Sequence, residues 1–239
     1  MPIPSNLTLV ILDNFHELNS IPEVRILFSN LLHLKSLGYG KYFDKSFIPY
    51  DSLDYISRYY MLCAENLVPL SCIRMLSFNK ASFHHQKIPL IKFAQDSNSD
   101  RHLDFMNSFL NQGDCLYSGN FTVHPEFRNS EFIELSKTLV SASTYMEIIS
   151  NKYRAVFAAA TPRMKTDIAM AKWGYLDIQD SLGQLPNLHK FEANNEEIKL
   201  MIMPESSLDG KRSMSILEEI IEKKIIFSEE FLINKAKVA

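Results

Sequence analysis

The chain has 239 residues, enough for one sizeable α/β core, and its 46% hydrophobic and 22% charged content is that of a soluble globular domain. A formal net charge of -3 without a Lys/Arg cluster argues against DNA or RNA as a partner, and no apolar run reaches membrane-spanning length. Three cysteines, Cys63, Cys72 and Cys115, lie in separate segments with no C-x-x-C pair, which fits a reducing cytoplasm and neither a disulfide scaffold nor a thiol metal site.

The apolar run at 7–12 is short, lacks a basic segment before it and meets Asp13 at once, so it does not read as a signal peptide. Over 21–37, Val24, Leu27, Phe28, Leu31, Leu32 and Leu34 recur at helical spacing, and Gly38-Tyr39-Gly40 supplies a stop. Residues 59–64 and 68–76 read as strands of a hairpin closed at Glu65-Asn66-Leu67. Residues 79–104 read as a linker because the run from Gln95 to Asp100 is strongly polar. Within it, His84-His85 has no companion ligands, and no metal is expected.

Residues 116–123 read as a strand, ended where His124-Pro125 withdraws a ladder donor. The next helix aligns Phe132, Leu135, Leu139, Ala142, Met146 and Ile149 on one face, with Glu131 and Glu134 complementing the positive end of its dipole. An apolar strand at 153–160, a helix opened by Pro162 and closed at Gly174, and a strand at 175–178 follow. This alternation predicts neighbouring strands joined by crossover helices. Residues 198–203 read as one more strand. Residues 213–227 read as an amphipathic helix, with Glu219 four positions before Lys223. The expectation is one α/β (α+β) domain over 1–239, with its core at about 20–204 and a helical extension at 205–239.

The block from Thr122 to Arg128, followed by helix, strand, helix and Lys172-Trp173-Gly174-Tyr175, resembles the core of the GCN5-related N-acetyltransferase (GNAT) superfamily. The resemblance implies a mixed central sheet flanked by helices, and a turn that binds the donor's pyrophosphate through Val123, Arg128, Asn129 and Ser130. Glu131 and Ile133 stand where that family's loop has small residues, and a carboxylate at Glu131 repels a phosphate. Asp51-Ser52-Leu53-Asp54, the strand Tyr59-Tyr60-Met61-Leu62 and Arg74 resemble the acceptor side of the autoinducer (acyl-homoserine lactone) synthases. Arg25 falls in the matching order on the first helix. Those enzymes commonly take acyl chains from acyl carrier protein. Their E-x-x-R on the central strand falls here at Tyr117 and Asn120, which shifts the reading from homoserine lactone production to an N-acyl amino acid synthase-like branch.

The implied activity is transfer of a medium or long acyl chain from an acyl carrier protein or coenzyme A thioester to the amine of an amino acid or related metabolite, in the cytoplasm and without a permanently bound cofactor. Acetyl transfer from acetyl coenzyme A, lactone synthesis and acyl-ligand binding without catalysis are the alternatives. Asp51 and Asp54 are placed to hold the acceptor ammonium or relay its proton, against the plainer reading of a polar turn. Arg74, in an apolar strand, must pair with Asp54 or with a substrate carboxylate. Main-chain N–H groups of Phe121, Thr122 and Val123 are the expected oxyanion donors. Arg25, Tyr117 and Tyr145 complete the substrate-side set. His124 reads as a turn residue, and no serine or cysteine is paired with a base, so transfer is expected to be direct.

Overall fold

The computed structural model describes residues 6–40, 50–128, 131–150, 152–190, 196–204 and 207–228. Its strands are β1 (Thr8–Asp13), β2 (Arg58–Ala64), β3 (Val68–Ser77), β4 (Leu116–Val123), β5 (Val156–Ala160), β6 (Leu176–Asp177), β7 (Gln179–Asp180), β8 (Gly183–Gln184), β9 (Leu188–Lys190), β10 (Glu196–Met203) and β11 (Ile225–Phe227). Its helices are α1 (Phe15–Leu18), α2 (Pro22–Tyr39), α3 (Phe78–Phe83), α4 (Pro89–Asp96), α5 (Asp100–Leu110), α6 (Glu131–Ile149), α7 (Thr166–Lys172), α8 (Leu208–Ile216) and α9 (Glu218–Glu222). Among the described residues the strands form a nine-stranded mixed sheet in the hydrogen-bonded order β11-β1-β2-β3-β4-β5-β10-β6, with β9 also paired to β10. The α/β architecture expected from the sequence is the observed one.

The chain groups into two compact units. The first takes in residues 1–75, 120–140 and 216–239, and the second residues 76–119 and 141–215. In the first, β2 pairs antiparallel with both β1 and β3, placing Tyr59 opposite Arg74 and Met61 opposite Cys72. Paired residues share a face of the sheet, so Tyr59, Met61, Cys63, Cys72 and Arg74 all point one way. Helix α2 covers that face. Pro22 presets its first turn, and Val24, Leu27, Leu31 and Leu34 pack with Val10, Leu12, Tyr59 and Met61 into one core. Burying each such aliphatic side chain contributes about 1.5–3 kcal/mol. One buried residue of the helix is charged. Lys35 sits four positions after Leu31, on the apolar stripe itself.

The predicted C-terminal helix over 213–227 is broken into α8 and α9 at Leu217, and its last isoleucines leave the helix. Ile225, Ile226 and Phe227 pair in parallel with Val10, Ile11 and Leu12 of β1. β-branched residues fit a pleated edge better than a helix end, and the exposed edge of β1 offers a ladder to complete.

In the second unit, β4 and β5 run parallel, as expected of strands joined through a helix. The expectation that 175–178 forms the next neighbour is corrected: β10 lies between β5 and β6, antiparallel to both. The predicted linker at 79–104 is also corrected. It holds nearly all of α3, the whole of α4 and the first five residues of α5, with Leu90, Ala94 and His102 buried, while Phe78, Phe105 and Phe109 beside it pack around Phe157. The polar run that suggested a linker is the tight connection between α4 and α5, where Asn98 takes φ 48°.

His102 is fully buried, its Nδ1 bonded to Ser99 Oγ at 2.7 Å. Burial lowers its pKa, and the Pro186 carbonyl offsets this only in part. Below about pH 6.5 the unfolded chain therefore takes up a proton that the folded chain refuses, and stability falls as the pH falls. Urea unfolding between pH 7.5 and 5 should show this slope, and His102→Phe should flatten it. An unchanged slope in the variant would assign the acid sensitivity to another group.

Candidate functional site

The site grows from a turn. Asp51 precedes the 3-10 turn Ser52–Tyr55 in an extended conformation, and its carboxylate accepts from Leu53 N at 3.0 Å. Asp54 answers by accepting from Asp51 N at 2.9 Å. The three-residue spacing of the two acids is thus a reciprocal cap, each carboxylate holding an end of the turn.

That cap hands Asp54 to the buried face of the sheet. Its carboxylate accepts from Lys35 Nζ at 2.6 and 2.7 Å, from Arg74 Nη1 at 2.7 Å and from the Tyr59 hydroxyl. Arg74 Nη1 also donates to Asp51 at 2.7 Å. Asn120, with its amide oxygen turned to the cations, accepts from Arg74 Nη1 at 3.2 Å and Lys35 Nζ at 3.3 Å. Asp54 and Lys35 are 0% exposed and Arg74 2%, whereas the Asp51 side chain is 50% exposed. Asp51 is therefore the charged member through which this network meets solvent.

Burial alone would raise the Asp54 carboxyl, but the charges of Arg74 and Lys35 outweigh it and hold the carboxyl below its ordinary range. Burial lowers Lys35, opposed by Asp54 and reinforced by Arg74. Burial raises the Tyr59 hydroxyl, so it stays a donor to Asp54. Cys72, on the same sheet face, is pushed up to about 12, as is Cys115, and Cys63 is raised as well. None of the three is a thiolate at neutral pH.

Beside this cluster, β4 changes course. Asn120 adopts φ 56°, a left-handed conformation inside a strand, and the register of β4 with β5 runs over Leu116, Tyr117 and Ser118. After the break, His124 N donates to Leu70 O at 2.8 Å on the β3 side. Alternation along a strand turns the Val123 and Phe121 N–H groups to the side away from β3, and the Thr122 N–H towards β3 and Cys72. Arg128 ties the end of β4 to the end of α2, donating to Val123 O at 3.1 Å and Gly38 O at 2.6 Å. Gly38 is required there, because a Cβ would lie 2.2 Å from Thr122 Cγ2.

Of the residues singled out in the sequence, Asp51, Asp54 and Arg74 come together, and Val123 and Arg128 are bonded to each other. Arg25 lies on the exposed face of α2, about 15 Å along the axis from Lys35. Tyr117 is buried in the second unit, and the half-buried ring of Tyr145 covers Gly210 there. Asn129 and Ser130 lie outside the described residues. Sequence reasoning missed Lys35, Tyr59 and Asn120. The signal for Lys35 was present: a charge on an apolar helical stripe, which burial forces to find a partner.

Removing the Asp54 carboxylate leaves two buried cations facing each other, so Asp54→Ala should lose about 3–5 kcal/mol of unfolding free energy. Asp51→Asn, at a half-exposed position where an amide still caps the turn, should lose no more than about 1 kcal/mol. Urea denaturation of both variants checks the contrast, and equal losses would contradict the burial pattern.

No protein-family model matches the sequence, and no curated protein matches it. Among solved structures, the chain is similar to a CoA-dependent acyl-homoserine lactone synthase, BjaI, solved with SAM and isopentyl-CoA, at 11% identity and a TM-score of 0.54 over 93% of this chain and 94% of that one. A second CoA-dependent acyl-homoserine lactone synthase, MesI, gives 10% identity and a TM-score of 0.47 over 87% of this chain and 94% of that one. Arabidopsis thaliana NAA60 in complex with acetyl-CoA gives 8% identity and 0.48 over 82% and 97%. No helix among the described residues is long and apolar enough to cross a membrane. With a mixed nine-stranded sheet flanked by helices, and a likeness to BjaI that spans nearly all of both chains, the protein has the GNAT fold.

Proposed function

We propose that the protein is an N-acyltransferase that moves a medium or long acyl chain from a coenzyme A or acyl carrier protein thioester to the amine of an amino acid or related metabolite, without a covalent enzyme intermediate. The observation that carries this reading is the left-handed break at Asn120 in β4 of a GNAT fold, which turns the Val123 and Phe121 N–H groups away from β3. Main-chain donors of this kind stabilise the oxyanion that forms as an amine attacks a thioester carbonyl.

In the step itself the amine nitrogen bonds to the carbonyl carbon, the carbon–sulfur bond breaks, and the departing thiolate ends as a thiol with the proton the amine loses. An acceptor that arrives as ammonium must first lose one further proton to solvent, and Asp51 is the group suited to meet it and pass that first proton to water, since it is half-exposed and held by Leu53 N and Arg74. Arg74 serves by holding Asp51 and Asp54 rather than by meeting a substrate carboxylate. The raised thiols of Cys63, Cys72 and Cys115 favour direct transfer over an acyl-cysteine route. A coenzyme A thioester is the first donor to try, because BjaI was solved with isopentyl-CoA.

Purified protein offered coenzyme A and acyl carrier protein thioesters of several chain lengths, with pooled amino acids and other amines, should release thiol only when acceptor is present. Asp51→Asn should lower kcat/KM for the amine about a hundred-fold in a folded protein. Absence of acceptor-dependent release with every donor would overturn the reading.

A further inference from the structure

Asn120 and Lys35 belong to the buried network without belonging to the acid and arginine set legible in the sequence. Asn120 is pinned twice. Its amide oxygen takes both cations, and its main-chain carbonyl accepts from Thr122 Oγ1 at 3.2 Å. Between these two attachments its backbone holds φ 56°, a region that asparagine enters more readily than most residues but does not prefer. Something must hold it there, and the two cations are placed to do so. Lys35 is itself committed: its Nζ reaches both Asp54 oxygens, the Tyr59 hydroxyl at 3.4 Å and Asn120. A rigid 18-residue helix therefore fixes the ammonium, and the ammonium fixes the amide.

We propose that Asn120 and Lys35 are positioning residues for acyl transfer: the contact of the amide oxygen with Lys35 and Arg74 locks the left-handed break in β4 and so aims the main-chain N–H groups of Phe121 and Val123. This rests on the acyltransferase reading above. Neither residue touches the reacting atoms. Their effect passes through the backbone, because the φ and ψ of residue 120 set the direction of every peptide that follows it. The arrangement also inverts the pattern of the E-x-x-R strand that the sequence resembles: here the cation comes from the helix and a neutral acceptor from the strand.

Three substitutions at residue 120 separate the side-chain anchor from the backbone preference. Asn120→Gly keeps the left-handed region accessible and removes the anchor, Asn120→Ala removes both, and Asn120→Asp keeps both, with an oxygen for the two cations. Steady-state kinetics would be read beside amide hydrogen exchange of the segment 119–124. Asn120→Gly should lower kcat about ten- to a hundred-fold with each KM within about threefold of wild type, and Asn120→Ala should be at least as poor. Asn120→Asp should keep kcat within about threefold. Exchange at 119–124 should quicken in Asn120→Gly and in Lys35→Met, and stay near wild type in Asn120→Asp. Unchanged kcat in Asn120→Gly, a loss confined to KM, or an aspartate variant as poor as the glycine one would overturn the proposal. A wild-type protein that turns over no thioester would overturn the acyltransferase reading instead. The exchange comparison then stands alone: quickening in the glycine variant, absent in the aspartate variant, upholds the lock, and equal exchange in the two sinks it.

Discussion

A carboxylate taken wholly out of water is tolerated only when donors replace the water, and Asp54 meets that demand with the Lys35 ammonium, the Arg74 guanidinium, the Tyr59 hydroxyl and the Asp51 main-chain N–H. Each donor comes from a different element or turn. The helix must therefore present position 35 to the sheet, β2 and β3 must keep the register that sets Tyr59 beside Arg74, and the turn at Ser52–Tyr55 must stay capped. One buried charge thus fixes the helix, the hairpin and the turn relative to one another. An apolar core of the same size would resist unfolding but would not select one alignment so narrowly, since aliphatic side chains slide past each other at little cost.

The same network sorts its members by exposure. Asp54, Lys35 and Arg74 are sealed, whereas Asp51 is half-exposed while keeping a bond to Arg74. On the proposed reading this divides labour: sealed charges hold geometry, and the half-exposed carboxylate meets the amine. Strand β4, with its left-handed break, belongs to the same assembly, because Asn120 touches both cations. On the proposed reading, acceptor side and oxyanion side are two ends of one hydrogen-bonded structure, so that a residue in neither reacting group matters to both.

Much of this was legible beforehand. The spacing of Asp51 and Asp54, the arginine stranded among apolar residues of β3, and the proline that ends β4 each state a local demand, and local demands survive into the fold. The helix over 21–37 was readable for the same reason, as its apolar stripe is a property of the segment alone. The errors have a common cause. The polar run at 95–100 looked like a linker because hydrophilic residues in a tight interhelical turn have the composition of a linker. Ile225 kept helical spacing with Ile221, yet the unpaired edge of β1 claimed it together with Ile226 and Phe227. Likewise β10 entered beside β5 from far along the chain, where no periodicity could announce it.

By itself, then, the sequence determined the α/β class, the type of strongly periodic elements such as α2 and α6, and the stranded charge of Arg74 that would need an answer, since these follow from period, propensity and the cost of burying a charge. Which group answers was decided only in three dimensions. Lys35 and Arg74 are 39 positions apart and Asn120 lies 46 beyond Arg74, and nothing in a linear pattern tells a lysine that will be sealed against a carboxylate from one that will reach water. Tertiary packing made that choice, because the apolar stripe of α2 had to bury against the face of β2 and β3, and its one charged member could follow only if Asp54 and Asn120 were there to receive it.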